Sequence, residues 1–227
     1  MRLSRAMLGV VLDAAILIGA FISMVANVDA TKIAASERTA IEITTANLSP
    51  NRPLFVSIGE STRPPIGWTE FCAENRRECD TRPMQARDVV LTPTAWRALE
   101  RVNLWVNRKI KPLTDEEHWS VIERWSYPED GYGDCEDYVL LKRKMLIKAG
   151  WPRQALLITV VRDSKGDGHA VLTVKTDKGE LVLDNQSDDI LLWSETSYRY
   201  VKRQSQTDPN VWVSLGGLRP AFPTASE

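Results

Sequence analysis

An α+β fold, with a cysteine-bearing helix packed on an antiparallel β-sheet, follows from three features of this 227-residue chain. Residues 135–149 place Tyr138, Leu141, Met145 and Ile147 among Lys142, Arg143, Lys144 and Lys148, a helical spacing that Gly150 stops and Pro152 keeps from resuming. Beyond Pro152 the apolar period shifts toward two, in short runs divided by Gly- and Asp-containing turns. The helical stretches come before the strand-like ones, which is the order of an α+β layout rather than of alternating βαβ units.

The elements follow in chain order. Arg2 and Arg5 precede an apolar run from Ala6 to Ala26, broken only by Asp13, and Val28-Asp29-Ala30 carries small residues suited to cleavage. Residues 1–30 therefore read as a secretory signal peptide. An uncleaved anchor is the alternative, against which Asp13 stands in the middle of the run. Both place the remainder outside the cytosol. Residues 31–64 read as a linker and N-terminal extension, and 51–91, with Pro53, Pro64 and Pro65, as extended structure and turns. Thr92-Pro93 is an N-cap followed by proline at the first helical position, and Leu99, Val102 and Val106 then share one face to about Lys111. Thr114-Asp-Glu-Glu117 is a capping box before a short helix expected to carry Trp119 and Trp125. Strands are expected at 155–161, 169–176, 180–184, 198–204 and 211–215, and residues 216–227 form a Pro- and Gly-containing tail.

Charge argues against a nucleic-acid partner. Net charge is −1 with lysine and arginine scattered, whereas nucleic-acid binders gather a basic face. Of the three cysteines, Cys72 and Cys79 are separated by six residues and read as a small disulfide loop in an exported protein. Cys135 is then the odd thiol. It opens a helix, where the macrodipole favours a thiolate. His169 begins one predicted strand and Asp184 ends the next, so a hairpin brings the two together. Cys135, His169 and Asp184 are the candidate nucleophile, base and orienting carboxylate. Asn185 competes for the last role, and His118 is read as a surface or packing residue. An indole N–H of Trp119 or Trp125 is the candidate second oxyanion donor beside the Cys135 backbone N–H. Asp134, Glu136 and Asp137 bracket the thiol. Left unneutralised they raise its pKa; they either cap the helix or take up a hard cation, for which an all-oxygen set suits Ca²⁺.

Gly133-Asp-Cys-Glu-Asp-Tyr138 with Leu141-Lys-Arg143, then Gly168-His-Ala-Val-Leu172, then Val182-Leu-Asp-Asn185 resembles the bacterial transglutaminase-like cysteine proteinase family. The likeness spans about residues 65–215, and Trp68 to Cys79 resembles a variant among its shorter members. It implies a papain-like, transglutaminase-core fold with Cys135, His169 and Asp184 as the triad. Periplasmic, LapG-type members of that family require Ca²⁺ and cleave a cell-surface adhesin. The resemblance therefore implies Asp134 and Glu136, with Asp137, as calcium ligands, a surface adhesin as protein substrate and a regulatory membrane protein as a further partner. This chain departs from those members in its Cys72–Cys79 loop and in a shorter segment before Gly133. Two other activities suit the same residues: a transglutaminase or amidase, and a non-catalytic, calcium-responsive binding module.

Overall fold

The computed structural model describes residues 53–80 and 82–216; the signal-peptide reading of 1–30, most of the linker and the tail beyond Gly216 lie outside them. Among the described residues no helix is long and apolar enough to cross a membrane. Nine strands are described: β1 (Ser57–Thr62), β2 (Lys111–Pro112), β3 (Tyr132–Gly133), β4 (Leu156–Arg162), β5 (Gly168–Thr176), β6 (Gly179–Leu183), β7 (Leu191–Leu192), β8 (Arg199–Gln204) and β9 (Trp212–Gly216). Seven form one antiparallel sheet in the order β1-β9-β8-β4-β5-β6-β7, and β2 pairs with β3 in parallel. The helices are α1 (Ile66–Glu74), α2 (Arg76–Cys79), α3 (Pro93–Lys109), α4 (Asp115–Trp119) and α5 (Cys135–Lys148).

The centre of the sheet matches the alternation in the sequence. β4 and β5 pair from Leu156↔Val174 to Arg162↔Gly168, and β5 is buried from His169 to Thr176. Both faces of this strand are thus covered, which explains its dense apolar content. Val161, Val171, Val182, Trp193, Tyr200 and Leu215 close one core cluster. The α5 helix packs against β5, and α3 packs on α5 through Val106, Ile110 and Tyr138. The Thr92 hydroxyl accepts from the Ala95 amide, as its N-cap position requires, and Gly150 (φ 89°) takes the left-handed conformation that ends α5.

Three expectations need correction. Residues 66–79 are helical, not merely extended and turned. Their periodicity is weak because the short α1 buries only Gly67, Trp68 and Phe71. The short helix after Thr114 ends at Trp119, so Trp125 lies in the loop beyond it, and α3 stops at Lys109. The third concerns β1, which pairs with β9 ahead of residue 65, where the sequence reading begins the domain. An edge strand whose six side chains are all exposed has no buried face to announce it.

The anticipated disulfide joins Cys72 to Cys79. Glu78 and Cys79 carbonyls accept from Arg153 and Asn210, tying this loop to the sheet side of the fold. The α1 helix also supplies Trp68 to an aromatic cluster, with ring centroids 6.2 Å from Trp125 and 6.4 Å from Trp212. A Cβ at Gly67 would stand 2.2 Å from Trp125 Cδ1. Trp125 is buried and cannot step aside. Gly67→Ala is therefore expected to lower stability by about 1–3 kcal/mol, read as a reduced midpoint in thermal or urea unfolding.

Candidate active site

Cys135 is the first residue of α5, as expected, because Asp134 leaves the helical region (φ −110°, ψ −161°) immediately before it. A helix start presents free backbone N–H groups, and Cys135 supplies one of them. Gly133 is needed just upstream: a Cβ there would lie 2.5 Å from Asp137 Oδ2. The half-buried thiol donates to Glu136 Oε2 at 3.1 Å. Its pKa is pushed well up, first by burial and then by the charge and hydrogen bond of Glu136, while the backbone amide of Ala170 acts in the opposite sense. So the helix start does not by itself give a thiolate. Burial outweighs it, and Glu136, which touches the sulfur directly, adds to the rise. Ala170 is the neighbour of His169 in β5, which puts the sulfur beside the strand that carries the imidazole.

His169 and Asp184 meet across β5 and β6. Leu172 faces Leu183 in the ladder, so the residues just beyond the pairing converge, and His169 Nε2 lies 2.9 Å from Asp184 Oδ1. Asp184 also accepts from the Tyr198 hydroxyl through Oδ2 and from the Gln186 amide at 3.0 Å. Burial would raise its pKa, but the bonds from His169, Tyr198 and Gln186 outweigh that and hold the carboxyl below its ordinary value. An ionised carboxylate only accepts, so His169 Nε2 carries a hydrogen, and in the neutral ring the lone pair is then on Nδ1. The Asn185 side-chain oxygen has no partner, and the contact to His169 is made by Asp184. Tyr198 was not singled out in the sequence. Its ring centroid lies 5.4 Å from that of His169, the two rings tilted by 53°, one residue before β8.

The acidic residues around the thiol divide differently from the sequence reading. Asp134 and Glu136 come together with Asp115, with carboxylate oxygens within 4.8 Å of one another. Asp137 stands apart and accepts from the Ser126 amide at 2.8 Å. Helical geometry explains the division, since residues 136 and 137 point about 100° apart. Asp115 arrives because β2–β3 pairing, with Leu113 N–H bonded to Gly133 O at 3.0 Å, lays the start of α4 beside the cysteine loop. The Arg124 amide caps its Oδ2. Buried oxygens of Asp134 (Oδ1) and Glu136 (Oε1) have no hydrogen-bond partner. Asp134 is pushed up to about 6 by burial and then by the charge of Asp115. Glu136 rises to about 9 from burial and then Asp134. Crowded carboxylates with orphaned oxygens suit a hard, oxygen-seeking cation, so this set fits calcium on its own chemistry.

The proposed indole donor fails for Trp125, whose Nε1 is committed to Glu123 Oε1 at 2.6 Å. Trp119 stacks on His118, and His118 Nε2 pairs with Asp130 at 2.8 Å, in keeping with a packing role.

The family model described as bacterial transglutaminase-like cysteine proteinase matches residues 58–219. The chain belongs to this family. It is accordingly a cysteine peptidase with a transglutaminase-like core, and the mixed helix and antiparallel-sheet architecture agrees with that membership. Solved structures of Legionella pneumophila LapG are similar to it. One is 28% identical over 52% of this chain and 68% of its own, with a TM-score of 0.45. Its calcium-bound form is 25% identical over 56% and 75% respectively, with a TM-score of 0.46. The EGTA-treated form is 26% identical over 54% and 72%, with a TM-score of 0.45. No curated protein matches the chain.

Proposed function

We propose that this cysteine peptidase is an exported thiol endopeptidase that cuts a peptide bond in a protein substrate, a cell-surface adhesin by family resemblance. Cys135 is the nucleophile, His169 the base and Asp184 the group that orients the imidazole. The observation that carries the reading is the hydrogen-bonded series Tyr198–Asp184–His169, which lies beside the helix start bearing Cys135.

The chemistry follows from the tautomer. His169 Nδ1 takes the thiol proton, the thiolate attacks the peptide carbonyl, and the backbone N–H of Cys135 donates to the developing oxyanion. The imidazolium is stabilised by Asp184, whose second oxygen is held by Tyr198. It then protonates the leaving amine. Water, deprotonated by the same nitrogen, releases the acyl group and restores the thiol. Asp115, Asp134 and Glu136 are the residues that would hold calcium, with water or main-chain oxygens completing the shell. A bound cation would offset the negative charge that faces the thiol. Export and a periplasmic location are supported by the Arg2/Arg5 start, the apolar run after it and the Cys72–Cys79 disulfide.

Asp184→Asn is expected to leave the fold intact and lower kcat by about 10²- to 10⁴-fold, because an amide no longer selects the Nε2–H tautomer. Steady-state kinetics on a cleavable peptide measure it; unchanged kcat would remove Asp184 from the mechanism. Incubation with a labelled amine and a glutamine peptide separates hydrolysis from acyl transfer. Cross-linking faster than hydrolysis would replace the endopeptidase reading with a transglutaminase.

A further inference from the structure

Lys142 is a lysine with no solvent exposure and no hydrogen-bond partner for its ammonium. It lies on α5, one turn beyond Tyr138, and plays no part in the chemistry above. A buried, unpaired ammonium is among the most costly groups a fold can hold, so its surroundings bear on its role. The charges acting on it are the carboxylates of Asp184 and Asp188. Both stand in the loop between β6 and β7.

The same loop is also bonded by two asparagines one turn apart on α3. Asn103 Nδ2 donates to Asp188 O at 3.0 Å, and Asn107 Nδ2 donates to Asp184 O and to Asp188 Oδ1, both at 3.0 Å. The amide oxygens of Asn103, Asn107 and Asn185 are each buried without a partner. Around this loop there are thus three orphaned acceptors and one cation with three orphaned donors. Donors and acceptors complement one another, and internal water of the kind that fills polar cavities would join them.

We propose that Lys142 is a positioning residue for the active site: the charge of its buried ammonium draws the Asp184–Asp188 segment toward the helix that carries Cys135, while Asn103 and Asn107 of α3 bond the same segment directly. The lysine acts through Asp184. Because α5 starts at the nucleophile and Asp184 orients the base, a tie between them sets the distance that thiol and imidazole must keep. The catalytic consequence rests on the endopeptidase reading; the structural tie does not.

The experiment compares the full-length protein with Lys142→Met, which keeps the length and removes the charge, and Lys142→Arg, which keeps the charge. Melting temperature, kcat and KM on a cleavable peptide, and the low-field proton resonance of the His169 Nε2–H are recorded for each. The methionine variant is expected to melt at or above the native temperature, since a buried unpaired charge has been replaced by an apolar chain. Its kcat is expected to fall by about ten- to a hundredfold with KM unchanged, as for a small misplacement of reacting groups. The His169 resonance should weaken or shift, and arginine should restore part of both signals. If the methionine variant does not fold, Lys142→Gln, which keeps hydrogen bonding without charge, takes its place. A folded, uncharged variant with native kcat and a native His169 resonance overturns the proposal. A protein that cleaves nothing, yet whose His169 resonance still responds to the substitutions, sustains the tie and overturns the endopeptidase reading instead.

Discussion

Cys135→Ala is expected to abolish peptide-bond cleavage, with kcat reduced by roughly 10³- to 10⁶-fold, while the melting temperature holds or rises. Loss on this scale follows because no other free thiol is available to form the acyl intermediate. The only other cysteines are locked together as Cys72–Cys79. Stability should survive because alanine keeps the Cβ and the one side-chain hydrogen bond lost goes to Glu136, a carboxyl already crowded by Asp134. Labelling with iodoacetamide gives an independent measure, since Cys135 is the one thiol present to react. A binding module predicts a thiol no more reactive than a free cysteine at neutral pH, and such a result would set the enzyme mechanism aside. In cells, the surface proteins shed by native protein and not by the alanine variant identify the substrate. Residual cleavage by a purified Cys135→Ala protein would show that another group does the chemistry.

Calcium removal is the second change expected to have a large effect. Chelation with EGTA should suppress cleavage and lower the melting temperature. At a free calcium concentration about a hundred times Kd, binding stabilises by about 2.7 kcal/mol, or roughly 5–10 °C in a domain of this size. The pH dependence has a definite sign. Asp134, Asp137 and Glu136 sit at about 6, 8 and 9, all above their ordinary values, first because of burial. A carboxyl with a raised native pKa binds more protons folded than unfolded, so its stabilising contribution is present at low pH and is lost as pH rises through the native value. The calcium-free protein should therefore weaken between about pH 4 and pH 9, and calcium should stabilise it more at pH 8 than at pH 5. Lys142, depressed to about 7 mainly by burial, gives the opposite slope above that pH. Comparing loaded and free protein at each pH cancels it. Asp115→Asn and Glu136→Gln should stabilise the calcium-free protein by relieving repulsion and at the same time abolish the calcium response. Melting curves with the same calcium-induced shift in native and variant proteins would rule out this cluster as the site.

Features set by local chemistry were legible in the sequence. Thr92-Pro93 announced the start of α3, Gly150 and Pro152 the end of α5, and Asp177-Lys-Gly179 the turn between β5 and β6, because capping and turn formation depend on neighbouring residues. The Cys72–Cys79 bond was legible for the same reason, its partners being only seven positions apart. The meeting of His169 with Asp184 could also be reasoned out, since a hairpin pairs its two strands in a register set by its turn.

Asp115 could not be found this way. In the chain it is one of three acids in a capping box, and only the β2–β3 pairing carries it to Asp134 and Glu136. Asp137 shows the converse: it is adjacent to Glu136 in sequence, yet the turn of the helix takes its Oδ1 to the Ser126 amide instead. Tyr198 and Trp125 depended on long-range packing, one against His169 and the other within the Trp68–Trp212 cluster.

The sequence alone determined which residues are the candidates for the chemistry, where the helices from Thr92 onward and the central strands lie, and which two cysteines bond, because those properties depend on side-chain type and on partners near in the chain. Only the tertiary structure decided which acids face one another, which hydroxyl steadies Asp184 and which lysine lies buried. Those relations are made by elements that meet after long excursions of the backbone, and no local pattern encodes the angle at which they meet.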